Sequence, residues 1–174
     1  MELLPSFETE RLFLRERTLE DMDDCIEMDL DIEVVKYIPE IAELINGGYY
    51  NQHRAFVRKR METVYPPGMG YWVIESKENP AEFLGWVLLI PIDNRGPEIE
   101  IGWRLKRKYW GKGYATEAAR VILQHAFDTP GLEKIVADIH YMNHGSIRVA
   151  EKLGLKAIGT DDDTNYRRYC IYKS

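Results

Sequence analysis

The sequence predicts an α/β fold: one twisted, mixed β-sheet with helices on both faces. Three observations lead there. Residues 83–92 are a nearly unbroken apolar run, the pattern of a central strand covered on both sides. Residues 98–105 alternate strictly, with Ile99, Ile101, Trp103 and Leu105 on one face and Glu98, Glu100, Gly102 and Arg104 on the other. A glycine turn then leads into a helical pattern and a further strand, so βαβ units come late in a chain that starts with strands and helices.

Taken in order, residues 11–15 read as the first strand. Thr18 with Asp21 three residues on is a near capping box, Asp replacing Glu, and opens a helix to Leu30. Leu19, Met22, Ile26 and Leu30 recur at spacings of three and four and predict its apolar face; Asp21, Asp23, Asp24 and Glu27 are left to solvent. Residues 31–39 form a second helical piece ended by Pro39, and residues 40–50 read as irregular with Gly47-Gly48 as a breaker. Residues 49–65 form a helix carrying His53, Arg54, Arg58, Lys59 and Arg60. A strand at 71–76 lies between turns at 66–70 and at Asn79-Pro80, and residues 93–97 are a hairpin-type turn. Gly102 in mid-strand predicts a bulge or the close approach of a ligand.

The helix at 114–127 carries Ala115, Ala118, Ala119, Ile122 and Ala126 on one stripe, small enough to pack closely on a sheet. A strand at 134–139 follows. Asn143 starts a helix to Leu153 with Ile147, Ala150 and Leu153 inward and Gly154 as C-cap. Strands at 157–160 and 166–172 are joined by a tight polar turn at 161–165. No repeat, low-complexity stretch or linker interrupts, so residues 1–174 read as one domain.

Hydrophobic content of 45% and charged content of 30% suit a soluble globular protein. No apolar run reaches the roughly 18 residues of a membrane span, and the acidic N-terminus has no secretory h-region. Cys25 and Cys170 lie far apart in no metal or redox spacing, so both are expected as reduced thiols in the cytoplasm, with no bound metal. A net charge of −6 argues against general nucleic-acid binding and is compatible with a cationic amine substrate. Against that background Arg104, Lys106, Arg107, Lys108 and Lys112 stand out. They form either a solvated strand end or, as preferred, a site for a polyanionic cofactor.

The chain is organised around residues 106–118, where Gly111 and Gly113 join the alternating strand to the helix. Such a turn gathers unpaired backbone N–H groups at the positive end of a helix dipole, which suits a phosphate or pyrophosphate. Trp110-Gly-Lys-Gly-Tyr-Ala-Thr-Glu-Ala118 resembles the acyl-CoA pyrophosphate loop of the GNAT superfamily of N-acetyltransferases. Glu8-Thr-Glu-Arg-Leu-Phe-Leu-Arg15 is similar to the opening strand of its Rim-type, ribosomal-protein N-terminal branch. Asn143-His-Gly-Ser146 with Glu151-Lys-Leu-Gly-Leu155 is similar to that branch's Asn-x-x-Ser…Glu-Lys-Leu-Gly-Phe signature. The matches fall in family order over nearly the whole chain.

The resemblance implies a six- or seven-stranded mixed sheet splayed where acetyl-CoA enters, and acyl transfer to an amine by direct attack on the thioester. Cofactor contacts would come from Trp103, Arg104 and Leu105 at the strand end, from Lys108, Trp110, Gly111, Lys112, Gly113, Tyr114 and Ala115 in the loop, and from Asn143 and Ser146. Asn143 would hold the pantetheine arm and Ser146 would serve the leaving thiolate. By physics alone, Asn143 is a helix N-cap and Ser146 a first-turn residue. The tyrosine that many of these enzymes place four residues after the serine is Ala150 here, as in the Rim-like branch. Lys108 replaces Gln or Arg, keeping charge, and Leu155 replaces Phe, a core exchange.

Acyl transfer needs a held thioester, a deprotonated amine and stabilisation of the oxyanion and thiolate. Glu100, on the polar face of the strand entering the loop, is the candidate base; Glu98 is the alternative, and His140 and Tyr141 rank lower. The acceptor is a protein N-terminus or a small-molecule amine, chosen by the segment before the central sheet, and the protein is a monomer or a homodimer. Two rivals remain at this level. One is a non-catalytic acyl-CoA-binding regulator. The other is a dinucleotide-binding oxidoreductase, disfavoured because five residues separate Leu105 from Gly111 and Thr116 replaces the third glycine.

Overall fold

A computed structural model describes residues 2–161 and 164–174. The strands are β1 (Phe7–Glu8), β2 (Leu12–Glu16), β3 (Gly70–Ser76), β4 (Phe83–Pro91), β5 (Ile99–Leu105), β6 (Lys134–His140), β7 (Lys156–Asp161) and β8 (Tyr166–Tyr172). They form one eight-stranded sheet in the order β1-β2-β3-β4-β5-β6-β8-β7. Every neighbouring pair is antiparallel except β5–β6. The strand beyond the expected six or seven is β1. A turn in which the Thr9 N–H donates to the Leu12 carbonyl at 2.9 Å folds it back on β2. The predicted polar turn at 161–165 lies partly outside the described residues.

The helices are α1 (Met22–Asp29), α2 (Ile32–Val35), α3 (Pro39–Asn46), α4 (Tyr50–Glu62), α5 (Tyr114–Asp128) and α6 (His144–Leu153). Helices α5 and α6 cover one face of the sheet, where Ala118, Ala119, Ile122 and Ala126 pack on Leu84, Val87, Ile99 and Ile101. Helices α1 and α4 cover the other, where Cys25, Met28 and Val57 meet Tyr71, Val73, Trp86, Leu88 and Ile90. All nine residues of β4 are buried because its two faces serve the two cores. That is the pattern its apolar run predicts.

Three local expectations are corrected. The α1 face is out of phase: Leu19 and Leu30 are 47% and 46% exposed, while Cys25 and Met28 are buried. Residues 19–21 form a tight 3-10 turn first, so the α-helical count starts at Met22. Pro39 opens α3 at its first turn instead of ending a helix, and residues 40–46 are helical. Proline's missing N–H is one of the donors a helix start leaves unpaired anyway. Gly102 marks no bulge, since β4–β5 pairing is unbroken from Pro91–Ile99 to Gly85–Leu105. A Cβ on Gly102 would lie 3.2 Å from Leu88 Cγ.

The backbone squeeze lies at Gly85, beside the register shift between β3 and β4. Its φ is +155°, and a Cβ there would sit 2.0 Å from the Arg104 carbonyl oxygen. Gly85→Ala is expected to destabilise the fold by about 2–4 kcal/mol in urea unfolding. Gly102→Ala, whose neighbour is a movable leucine end, should cost less than half of that.

Candidate active site

The site exists because β5 and β6 part. They share one register pair, Glu100–Val136, and then diverge. On its other side β5 stays bonded to β4 along its length. The gap opens into a cleft of about 1040 Å³ between residues 100–105 of β5 and 137–140 of β6, roofed by the glycine loop and by the start of α6. Beyond Glu100 the β6-facing edge of β5 is unpaired backbone that an extended ligand arm can join.

Gly111 and Gly113 both have positive φ, +73° and +80°, and Gly113 is the N-cap of α5. The backbone N–H groups of residues 111–116 donate to no other described residue. Six consecutive free donors at a fifteen-residue helix start form an anion cradle. The loop is braced from outside. Arg11 donates to the Lys112 carbonyl at 2.9 Å and to Glu117 at 3.1 Å, and its guanidinium lies 4.4 Å from the Tyr114 ring centre. Trp110, 45% exposed, donates its indole N–H to the Leu105 carbonyl and so pins the loop to the end of β5.

The basic cluster is largely spent inside the protein. Arg104 donates to Asp29 at 2.8 Å and lies 4.6 Å from the Trp86 ring centre; the other Asp29 oxygen is 3.0 Å from His53 Nε2. Asp29 and His53 are buried, and the Arg104 charge helps hold the Asp29 carboxyl below its ordinary range although burial alone would raise it. Lys106 reaches Asp24 and Glu27 at 3.4 Å each, Arg107 reaches Asp31 at 2.8 Å and Lys108 reaches Glu82 at 3.7 Å. Only Lys112 of the five has no carboxylate partner among the described residues. The acids of α1 are thus not all a solvated face: Asp24 and Glu27 clasp Lys106, and Asp21 accepts two bonds from Arg15, at 2.7 and 3.0 Å.

Glu100 lines the cleft at the apex of the splay. Burial, with the Asp138 carboxylate adding to it, pushes its carboxyl up to about 7. Glu98 is held instead by Lys134 at 3.1 Å and by Arg168 at 3.9 Å, outside the cleft lining. His140 Nδ1 accepts from the Met142 N–H, and the ring stacks between Tyr37 and Tyr141 at 4.8 and 4.9 Å. Tyr37 donates to the Met142 carbonyl at 3.3 Å, and Tyr166 donates to the Tyr37 carbonyl, so the α2–α3 segment is tied across the end of β6. Asn143 caps α6 by accepting the Ser146 N–H at 3.2 Å; both residues line the cleft.

A splayed sheet, a free N–H cradle and a half-buried carboxylate at the splay point are the parts an acyl-CoA transferase needs. The sequence pattern of the acetyltransferase (GNAT) domain matches residues 11–156. The chain belongs to the GNAT acetyltransferase family. Its activity is transfer of an acetyl group from acetyl-CoA to an amine. A relative, the FsC-acetyl coenzyme A-N(2)-transacetylase of Aspergillus fumigatus, is 28% identical over 90% of this chain and 67% of its own length. A GNAT-family acetyltransferase structure from Bacillus anthracis is 28% identical, with TM-score 0.75 over 97% of this chain and 98% of that one. RimL, a ribosomal L7/L12 α-N-protein acetyltransferase solved with coenzyme A, shares the fold at 15% identity, with TM-score 0.69 over 98% of each chain.

Membership in this family removes the dinucleotide reading. The sheet agrees, being antiparallel apart from its single β5–β6 contact. Among the described residues no group of three or more His, Cys, Asp or Glu is placed to hold a metal, and no helix is long and apolar enough to cross a membrane. Both cysteines are buried and free. Sequence reading missed the Arg11–Glu117 brace and the Asp29–His53 link, whose partners are 106 and 24 residues apart with no periodic signal. Asp29→Ala should cost about 3–5 kcal/mol of unfolding free energy, because it leaves Arg104 buried without its counter-charge. Lys112→Ala, which breaks no pair, should stay within about 0.5 kcal/mol of the parent.

Proposed function

We propose that the chain acetylates α-amines, in the manner of the Rim-type branch, with Glu100 as general base. The observation that carries this is the Glu100 carboxyl, raised to about 7 at the splay point. A base of that strength takes a proton from an α-amine of pKa about 7.7–8 at a cost near 1 kcal/mol; from a lysine-like amine near 10.4 the cost is about 4–5 kcal/mol. The acceptor is a peptide N-terminus or a small molecule with an equivalent amine.

Acetyl-CoA lies with its pyrophosphate on the N–H groups of residues 111–116 and its pantetheine arm along the open edge of β5. Asn143 Oδ1 is occupied by its capping bond, which leaves the side-chain amide N–H to donate to the arm. The thioester carbonyl faces Glu100. The amine nitrogen attacks the carbonyl carbon, and its surplus proton passes to Glu100 directly or through one water. As the C–S bond breaks, the thiolate takes a proton from water, directly or relayed through the Ser146 hydroxyl, which regains its own proton from that water, and Glu100 gives up the amine proton to the hydroxide so formed. The products are the N-acetyl amine and free CoA thiol.

The protonation has a stability side. The Glu100 carboxyl is raised in the fold, so its stabilising contribution is present below its ordinary value of 4.5 and lost as pH rises through about 7. Above 7 the ionised, half-buried carboxylate costs the fold at most about 3 kcal/mol.

Wild-type kcat/KM on an N-terminal peptide should climb about tenfold per pH unit below 7 and level off there, whereas Glu100→Gln should lose about 10²–10⁴-fold and keep climbing to the amine pKa of about 7.7–8, so that its loss shrinks as pH rises. A constant offset at every pH would leave Glu100 as a positioning group only. The same variant should melt higher than wild type at pH 8 and equally at pH 5. Gly113→Val, strained at φ +80°, should abolish acetyl-CoA binding in calorimetry. Unchanged affinity would move the pyrophosphate elsewhere.

A further inference from the structure

Three arginines on the cleft wall hold no carboxylate among the described residues: Arg148, which is exposed, and Arg17 and Arg60. Arg17 and Arg60 both line the cleft and both are half-buried. They converge on one side chain. Arg17 stacks with its guanidinium carbon 3.6 Å from the Tyr71 ring centre, and Arg60 donates to the Tyr71 hydroxyl at 3.3 Å. Among the described residues no acidic oxygen comes within 4.0 Å of either. Arg11, Arg15, Arg104, Arg107 and Arg168 each hold one.

No carboxylate of the described residues is in contact with either, although Asp21 near Arg17, and Glu40 and Glu100 near Arg60, lie close enough for the charges to act on each other. Tyr71 offers them a ring face and a hydroxyl oxygen, not a carboxylate. Cys25, also on the lining, has its thiol pushed up to about 11 by burial, so it is uncharged at pH 7. Glu40 is exposed and makes no ion pair among the described residues. Partly buried cations without a counter-ion are costly, and rigid guanidinium forks match carboxylate geometry. The same wall carries Glu100, and Arg60 is close enough that its charge opposes the upward push that burial gives that carboxyl.

We infer that Arg17 and Arg60 bind a carboxylate on the acceptor, so that the substrate is an amine that also carries a carboxylate. The inference rests on reading the cleft as the acceptor site. The amine then meets Glu100 while its anionic group rests on the Tyr71 wall. The pair sets acceptor choice and belongs to the Tyr71 wall, not to the loop at residues 111–116.

The test uses matched acceptors with acetyl-CoA and thiol release as readout. Free amino acids are set against their amides, and tripeptides with Asp or Glu in second position against those with Asn or Gln. Wild type should prefer the carboxylate member of at least one series by about tenfold or more in kcat/KM, mostly through KM. The series that shows it tells a free amino acid from a peptide. That ratio should collapse to about twofold or less in Arg60→Gln and in Arg17→Gln, and Arg60→Lys should restore part of it. Melting curves and acetyl-CoA calorimetry identify any variant that fails to fold, and the other then decides. No preference in either series, a preference that survives in both variants, or no turnover of any member overturns the inference. Equal rates on neutral and acidic α-amines would sink this inference and leave the α-amine reading intact. A carboxylate preference confined to side-chain amines would do the reverse.

Discussion

The separation of β5 from β6 after a single paired position is the constraint on which the rest depends. In the middle of a sheet, unpaired backbone is expensive unless something else takes the bonds. Here the gap opens into the cleft, and neighbouring elements are arranged to keep it open. Both flanks of the split are locked, β5 on β4 and β6 on β8, each along the whole strand. The Tyr37–His140–Tyr166 contacts hold the far end of β6. The apex of the split also half-buries Glu100, so the geometry that opens the cleft raises the pKa of the carboxyl that lines it.

Much of this was legible in the amino-acid order. The apolar run of β4 and the alternation of β5 are direct readings of which faces are covered. The glycine pair before α5 announced a turn with positive φ, and the N-cap geometry of Asn143 followed from its place before a helical pattern. What stayed hidden depends on distant partners. A row of cations looks the same whether it faces solvent, a phosphate or carboxylates on another element, and Arg104, Lys106 and Arg107 turned out to face the last. Pro39 is equally at home ending one helix or opening the next, and local sequence does not decide between them. The phase of α1 shifted because one tight turn precedes it. The free state of Arg17 and Arg60 is a negative property, visible only once every acid has been placed.

The two faces of the site are built differently. The side formed by residues 111–116 is backbone: donors fixed by φ and by helix start, indifferent to side-chain identity apart from the glycines. The opposite lining is side chain: Tyr37, Phe56, Arg17, Arg60 and Tyr71, drawn from the first half of the chain. On the proposed reading, substitutions in that side-chain lining would change the acceptor while leaving the backbone cradle as it is.

The internal pairing of the basic cluster has a consequence for how the protein meets a polyanion in solution. With Arg104, Lys106, Arg107 and Lys108 compensated by acids and a formal charge of −6 overall, long-range attraction falls to the cations left without an acid among the described residues, Lys112 at the loop and Arg17 and Arg60 on the cleft wall. On the proposed reading, most of the hold on a phosphate then comes from short-range dipoles that act only on contact. Added salt, which screens long-range charge, should cost such a site less affinity than a lysine-lined one.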